Sequence, residues 1–167
     1  MEDPVDKLAT TIKRKFDSLP PLSSKCCIYR VPKNLRRLSE EKYTPYIISI
    51  GPFHRGNRKL KPLEEQKVRY LQRFIQRNEN KTLEDYLSAL LKWEKEAREC
   101  YVETIKLSSA DFTEMLLVDG CFIIEFFLTW CGTTFDPEDR VFHRPALSHA
   151  VMRDLKFARK SSPLFYS

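Results

Sequence analysis

Asp119, Glu125, Lys67 and the three arginines Arg69, Arg73 and Arg77 carry most of the chemistry open to this chain. Both acids lie in the apolar run Glu114-Met115-Leu116-Leu117-Val118-Asp119-Gly120-Cys121-Phe122-Ile123-Ile124-Glu125-Phe126-Phe127-Leu128. Paired carboxylates can divide the roles of general acid and general base. Over the span from Asp119 to Glu125, however, a helix turns through about 600°. The expectation is therefore that the two side chains point to opposite faces and share no site. Burying a lone carboxylate is costly unless it is paired or neutral. That predicts structural roles for Asp119 and Glu125, with donors supplied from elsewhere in the chain.

Arg69, Arg73 and Arg77 recur at i, i+4 spacing, a stripe that could contact phosphates or anionic lipid headgroups. Single-strand binders also interleave stacking aromatics, which are missing here, so a solvated face is expected ahead of nucleic acid. Lys67 points into the apolar arc of Leu63, Tyr70, Leu71, Phe74 and Ile75. Its expected state is a packed stem with the ammonium in water. The alternative is a buried partner for Asp119 or Glu125.

A Cys–His nucleophile could be built from Cys26 or Cys27 with His54, but nothing local marks an activated thiol. On an extended segment, adjacent Cys26 and Cys27 face opposite ways. The chain has no CxxC pair, no HExxH and no two histidines at helical spacing, so neither a metal nor another cofactor is expected. His143 and His149 are expected in solvent. The odd cysteine count of 5 favours reduced thiols in an intracellular compartment. Asn80-Lys81-Thr82 matches a glycosylation sequon, but Thr82 is better explained as a helix cap.

These side chains need a scaffold, and 167 residues with 42% hydrophobic and 31% charged content suit one globular domain. Only 4 glycines occur, which argues against a Gly-rich nucleotide loop. The net charge of +6 is unevenly spread: residues 1–81 hold 19 Lys/Arg against 9 Asp/Glu, and residues 82–167 hold 10 against 14. A basic half can seek an anionic partner. Here the expectation is that the halves attract each other within one fold. Met1-Glu2-Asp3-Pro4 starts acidic with no apolar stretch behind it, so no signal peptide is expected.

Asp3-Pro4 opens a helix carrying Val5, Leu8, Ile12, Phe16 and Leu19, which Pro20-Pro21 stops. Cys26 to Val31 is extended, and residues 33–42 hold a short helical turn. Tyr46-Ile47-Ile48-Ser49-Ile50 is either a short strand or a buried extended segment. A helix covers Pro62 to Arg77. A second starts at the capping box Thr82-Leu83-Glu84-Asp85 and runs to Leu107. The apolar run is a third, capped by Ser108 or Ser109 and ended by Gly132, and it is expected at the centre because it is apolar nearly all round. A polar loop from Thr133 to Arg144 leads to a last helix after Pro145. The fold class is mainly α: an irregular bundle of about five to six helices with extended segments near residues 26–31 and 46–50.

Several blocks together resemble a plant family, the domain of unknown function 247. They are Ile28-Tyr29-Arg30-Val31-Pro32, Tyr43-Thr44-Pro45 leading to Ile48-Ser49-Ile50-Gly51-Pro52-Phe53-His54, Lys67-Val68-Arg69-Tyr70-Leu71, and Glu99-Cys100-Tyr101 followed by Phe112 to Glu125. The resemblance divides the chain into an N-terminal helix and linker (residues 1–25), the N-terminal part of the family domain (26–155) and a divergent tail (156–167). It implies a mostly helical plant protein with no established enzymatic activity and no defined catalytic residues. Full-length members are regarded as membrane-associated through a C-terminal hydrophobic helix, and some are implicated in self-incompatibility. That implies a recognition or signalling module with a protein partner, and possible contact with a membrane surface. Arg55 stands where the family usually has a second histidine, and the sequence diverges after Arg153-Asp154-Leu155. The chain is thus expected to be a truncated form, cytoplasmic or peripheral, exposing apolar surface that a longer chain would cover. An enzyme using Cys26, Cys27 or His54, and anionic lipid or nucleic-acid binding by the basic half, are the alternatives.

Overall fold

The computed structural model describes residues 3–19, 28–38 and 43–158. Among these the fold is mainly α, with six α-helices and no strand. Local chemistry sets the helix starts. Asp3 accepts the Val5 N–H at 3.0 Å and Pro4 takes the first position of α1, Pro4–Asp17. The apolar stripe of α1 is present, but Val5, Leu8, Ile12 and Phe16 are all exposed. Helix α2 is the short Lys33–Leu38, within the expected helical turn, whose residues 39–42 lie outside the described residues.

A 3-10 turn, Arg58–Leu63, feeds α3, Glu64–Arg77. Helix α4, Leu83–Glu99, opens on the expected capping box: Thr82 Oγ1 accepts the Asp85 N–H at 3.2 Å, and the Thr82 N–H donates to Asp85 Oδ2 at 2.8 Å. It ends at Glu99 rather than at Leu107. The Ile28 N–H donates to the Cys100 carbonyl and the Val102 N–H to the Ile28 carbonyl, both at 2.9 Å, which draws the chain out of the helix. Arg98 then organises the segment that follows, donating to the carbonyls of Ile105 and Leu107 at 2.9 Å and of Ser108 at 3.1 Å. Tertiary pairing overrides the apolar spacing that favoured a longer helix.

Ser108 caps α5, Ser109–Trp130, by accepting the Asp111 N–H at 3.0 Å. Gly132, at φ +72°, turns the chain out of α5 in a conformation that side chains resist. Helix α6 is Pro145–Ala158.

Helices α3, α4 and α5 run up, down and up. Phe74 meets Tyr86 where α3 hands over to α4, and Glu94 meets Ser109 where α4 hands over to α5. Helix α5 therefore lies parallel to α3 and supplies most of the core. One apolar cluster joins Tyr70, Phe122 and Phe126 to Ile48, Ile50, Val141, Val151 and Leu155. A second joins Phe112, Met115 and Leu116 to Ile28, Ala97 and Tyr101. Residues 46–51 are a buried extended segment and not a strand. Their backbone groups bond to side chains of the surrounding helices, as described next.

Candidate functional site

The sequence-predicted polar residues converge on the seam between α3 and α5. Lys67 pairs with Asp119, the Tyr70 ring stacks on Phe122 at 5.0 Å, and Arg73 pairs with Glu125. Each pair is separated by 52 residues, so two parallel helices meet in register. Lys67 and Asp119 are 2% exposed and Glu125 is fully buried.

The ammonium of Lys67 has a partner for each of its three protons. It bonds the Ser49 carbonyl, lies 2.8 Å from Asp119 Oδ1 and 2.9 Å from Glu64 Oε1. The expectation that this ammonium reaches water is therefore wrong. A lysine stem can reach solvent only along an open edge, and here residues 49–51 and α5 close over it. The other Asp119 oxygen accepts the Gly51 N–H at 2.8 Å, a donor that the left-handed turn at Gly51 (φ +76°) presents. Burial pushes the Asp119 carboxyl above its ordinary range, against the pull of Lys67 and the Gly51 N–H.

One turn and a half further on, Glu125 accepts from Arg73 Nε at 3.1 Å and from the Arg77 guanidinium. Arg73 also donates to Asp136 at 3.1 Å and to Asp139 at 3.3 Å, and its guanidinium lies over the Tyr70 ring at 4.3 Å. Burial lowers the Arg73 proton affinity, but the acids around it outweigh that and the net shift is upward. Tyr70 donates its hydroxyl to Asp139 at 2.6 Å, and burial first, then this bond, drive its pKa up. Asp119 and Glu125 thus do not point to opposite faces. Both meet α3, which follows the same drift around its axis, but in two clusters about 9 Å apart along the helix.

The arginine stripe is not a free anion-contacting face. Arg73 and Arg77 are committed to internal acids, and Arg69 pairs with Glu65 at 2.6 Å on the surface. These pairs link the basic half to the acidic half. A polar cavity of about 430 Å³ at the α3–α4 turn is lined by Arg77, Asn78, Glu79, Asn80, Lys81 and Tyr86.

Two buried acids escaped the sequence analysis. Asp139, in the supposed polar loop, accepts the Val141 and Phe142 N–H groups at 2.9 and 3.1 Å besides Tyr70 and Arg73. Asp154, on α6, accepts the N–H groups of Tyr46, Ile47 and Ile48 at 2.9, 2.7 and 3.1 Å. The available signal was its position, three residues after Val151 on the apolar stripe. Asp119 and Asp154 together replace the strand partner that residues 46–51 lack.

His54 is half-buried, and burial, Arg30 and Arg36 hold its pKa below the usual imidazole value, with Asp154 opposing. Cys26 and Cys27 lie outside the described residues. Among those described, no group of three His, Cys, Asp or Glu side chains is placed to hold a metal, and no helix is long and apolar enough to cross a membrane.

Residues 28–158, which contain the whole seam, match a family described as plant protein of unknown function, DUF247. The chain belongs to this family. A UPF0481 protein of Arabidopsis thaliana is 34% identical over 142 residues, covering 84% of this chain and 30% of the relative. Another UPF0481 protein of the same plant is 26% identical over 138 residues, covering 83% of this chain and 25% of the relative. This DUF247 chain therefore spans less than a third of the length of either relative. No solved structure gives a significant match.

Proposed function

We propose that this DUF247 chain is a non-enzymatic recognition module, in which the α3–α5 seam is a rigid frame and the outer face of α5 receives a protein partner. The carrying observation is an apolar stripe on the best-packed helix. Ile124, Phe127 and Trp130 are 45%, 37% and 39% exposed at consecutive i, i+3 positions, and Phe135 beyond them is 85% exposed. Contiguous exposed apolar side chains mark interaction sites. The buried acids favour a frame over catalysis, because each one is held by two or more internal donors. A general acid or base must instead reach a substrate proton.

Membrane association, a peripheral location and a part in signalling belong to this proposal and rest on the family resemblance alone. Binding of anionic lipid or nucleic acid by the basic half is the second reading. It is weakened by the internal commitment of Lys67, Arg73 and Arg77.

A photo-crosslinking residue at Ile124, compared with one at exposed Gln72 on α3, tests the module in plant cells. The expected result is one discrete polypeptide adduct from position 124, none from 72, and loss of the adduct with Phe127→Glu. Cys26→Ser, Cys27→Ser and His54→Gln should leave it intact. Equal labelling from both positions would reject the stripe as the partner surface.

A further inference from the structure

Outside the seam, cationic side chains from separate segments converge on His54 with little to balance them. Arg30, in the extended stretch after Ile28, donates through Nη2 to the Phe53 carbonyl at 3.2 Å, and its guanidinium lies over the Phe53 ring at 4.9 Å. That anchors it beside the next residue, His54. Arg36, on α2, lies close enough to act on the same imidazole. Its Nε is shut off from water and has no hydrogen-bond partner. Buried donors are almost always satisfied, and an orphan among them points to a bound ion or ligand. Asp154 is the one acid felt at His54, and its two oxygens already accept three backbone N–H groups.

We propose that Arg30, Arg36 and His54 form a binding site for a phosphate group. One guanidinium fork would serve a single planar carboxylate. Two arginines from different segments, with an imidazole between them, suit a tetrahedral anion carrying up to two charges. The ligand is either a free phosphate compound or a phospholipid headgroup. Binding is linked to protons. The groups facing His54 are Arg30, Arg36 and Asp154, and without an anion the two arginines and burial disfavour the imidazolium. A bound phosphate favours it, so binding takes up a proton and tightens as pH falls below neutral.

The test is a titration of the whole chain with inorganic phosphate, followed by imidazole NMR. The chain has only 3 histidines, and His54→Gln identifies the relevant signal. The expected result is a saturable shift of His54, a raised titration midpoint in the presence of phosphate, and binding weakened about tenfold by Arg36→Gln or Arg30→Lys. Arg55→Gln, at the exposed neighbour, should change nothing. Vesicles containing phosphatidic acid, against vesicles of phosphatidylcholine alone, distinguish the sources. A response to free phosphate supports a soluble ligand, and a response to phosphatidic acid alone supports a headgroup. No saturable shift with either probe overturns the site, and so does equal weakening by Arg55→Gln, which would show general charge attraction. The wild-type titration stands even where an arginine variant fails to fold.

Discussion

Lys67 and Asp119 meet at 2.8 Å from two parallel helices, each side chain about as dry as the aromatic core beside it. Lys67 also ties down the Ser49 carbonyl, and Asp119 the Gly51 N–H, so the pair clamps an extended segment against the bundle. An ion pair this deep need not add net stability compared with apolar residues of the same shape. Its removal by halves is another matter.

Lys67→Met leaves Asp119 without its counter-ion and is expected to destabilise the fold by about 3–5 kcal/mol. Lys67→Met combined with Asp119→Leu should cost less than the sum of the single changes, since neither then strands a charge. Urea denaturation of the four proteins in this cycle measures the coupling. Strictly additive costs would show that the pair does not act as a unit.

The two arginines on Glu125 are unequal. Arg73→Ala removes bonds to Glu125, Asp136 and Asp139 and the contact over Tyr70, and should cost about 2–4 kcal/mol. Arg77→Ala leaves Glu125 still paired with Arg73 and should cost about 1 kcal/mol. Equal losses on denaturation would contradict this ranking.

Asp154→Ala strips the acceptor from three consecutive backbone N–H groups. Hydrogen exchange at Tyr46, Ile47 and Ile48 should accelerate well before exchange in the middle of α5. Uniform acceleration everywhere would mean that Asp154 holds the whole fold rather than this segment.

His54 makes stability depend on pH. Its folded-state pKa lies below 6.5, because burial, Arg30 and Arg36 disfavour the imidazolium. The unfolded chain therefore takes up the proton first as pH falls. The contribution is fully present above about pH 6.5 and is lost as the pH drops toward the folded-state value. Thermal unfolding between pH 7 and pH 5 should show a steeper decline for the wild type than for His54→Gln, and parallel curves would refute the assignment.

The thiols should separate cleanly. Burial pushes Cys121 up to about 12, with Glu125 adding to the effect, whereas Cys131 is exposed at the end of α5. In a Cys26→Ser, Cys27→Ser background at pH 8, an alkylating reagent should modify Cys131 quickly and Cys121 only on unfolding. The same shift predicts loss of stability as pH rises from 9 toward 12, because the unfolded thiol ionises first. Rapid alkylation of Cys121 in the folded chain would contradict its place in the core.

Helix starts were legible because caps are local. Asp3-Pro4, the Thr82–Asp85 box and Ser108–Asp111 each satisfy helix N–H groups within three residues of chain. The central place of α5 was legible from its apolar surface on nearly every side. The end of α4 was not, since the bond that stops it comes from Ile28, far away in the chain. Nor were Asp139 and Asp154, whose donors are backbone N–H groups and leave no mark in a residue pattern.

By itself, then, the sequence determined which segments are helical, which helix is buried and that its acids require donors, because cap geometry, periodicity and the cost of burying charge act through neighbouring residues. Only the tertiary structure decided which donor meets which acid. The return of the chain through α4 sets α3 parallel to α5 at an offset of 52 residues, and that single register places Lys67 on Asp119 and Arg73 on Glu125. A shift of one helical turn would leave the same pattern in the sequence and bury every one of those charges unpaired.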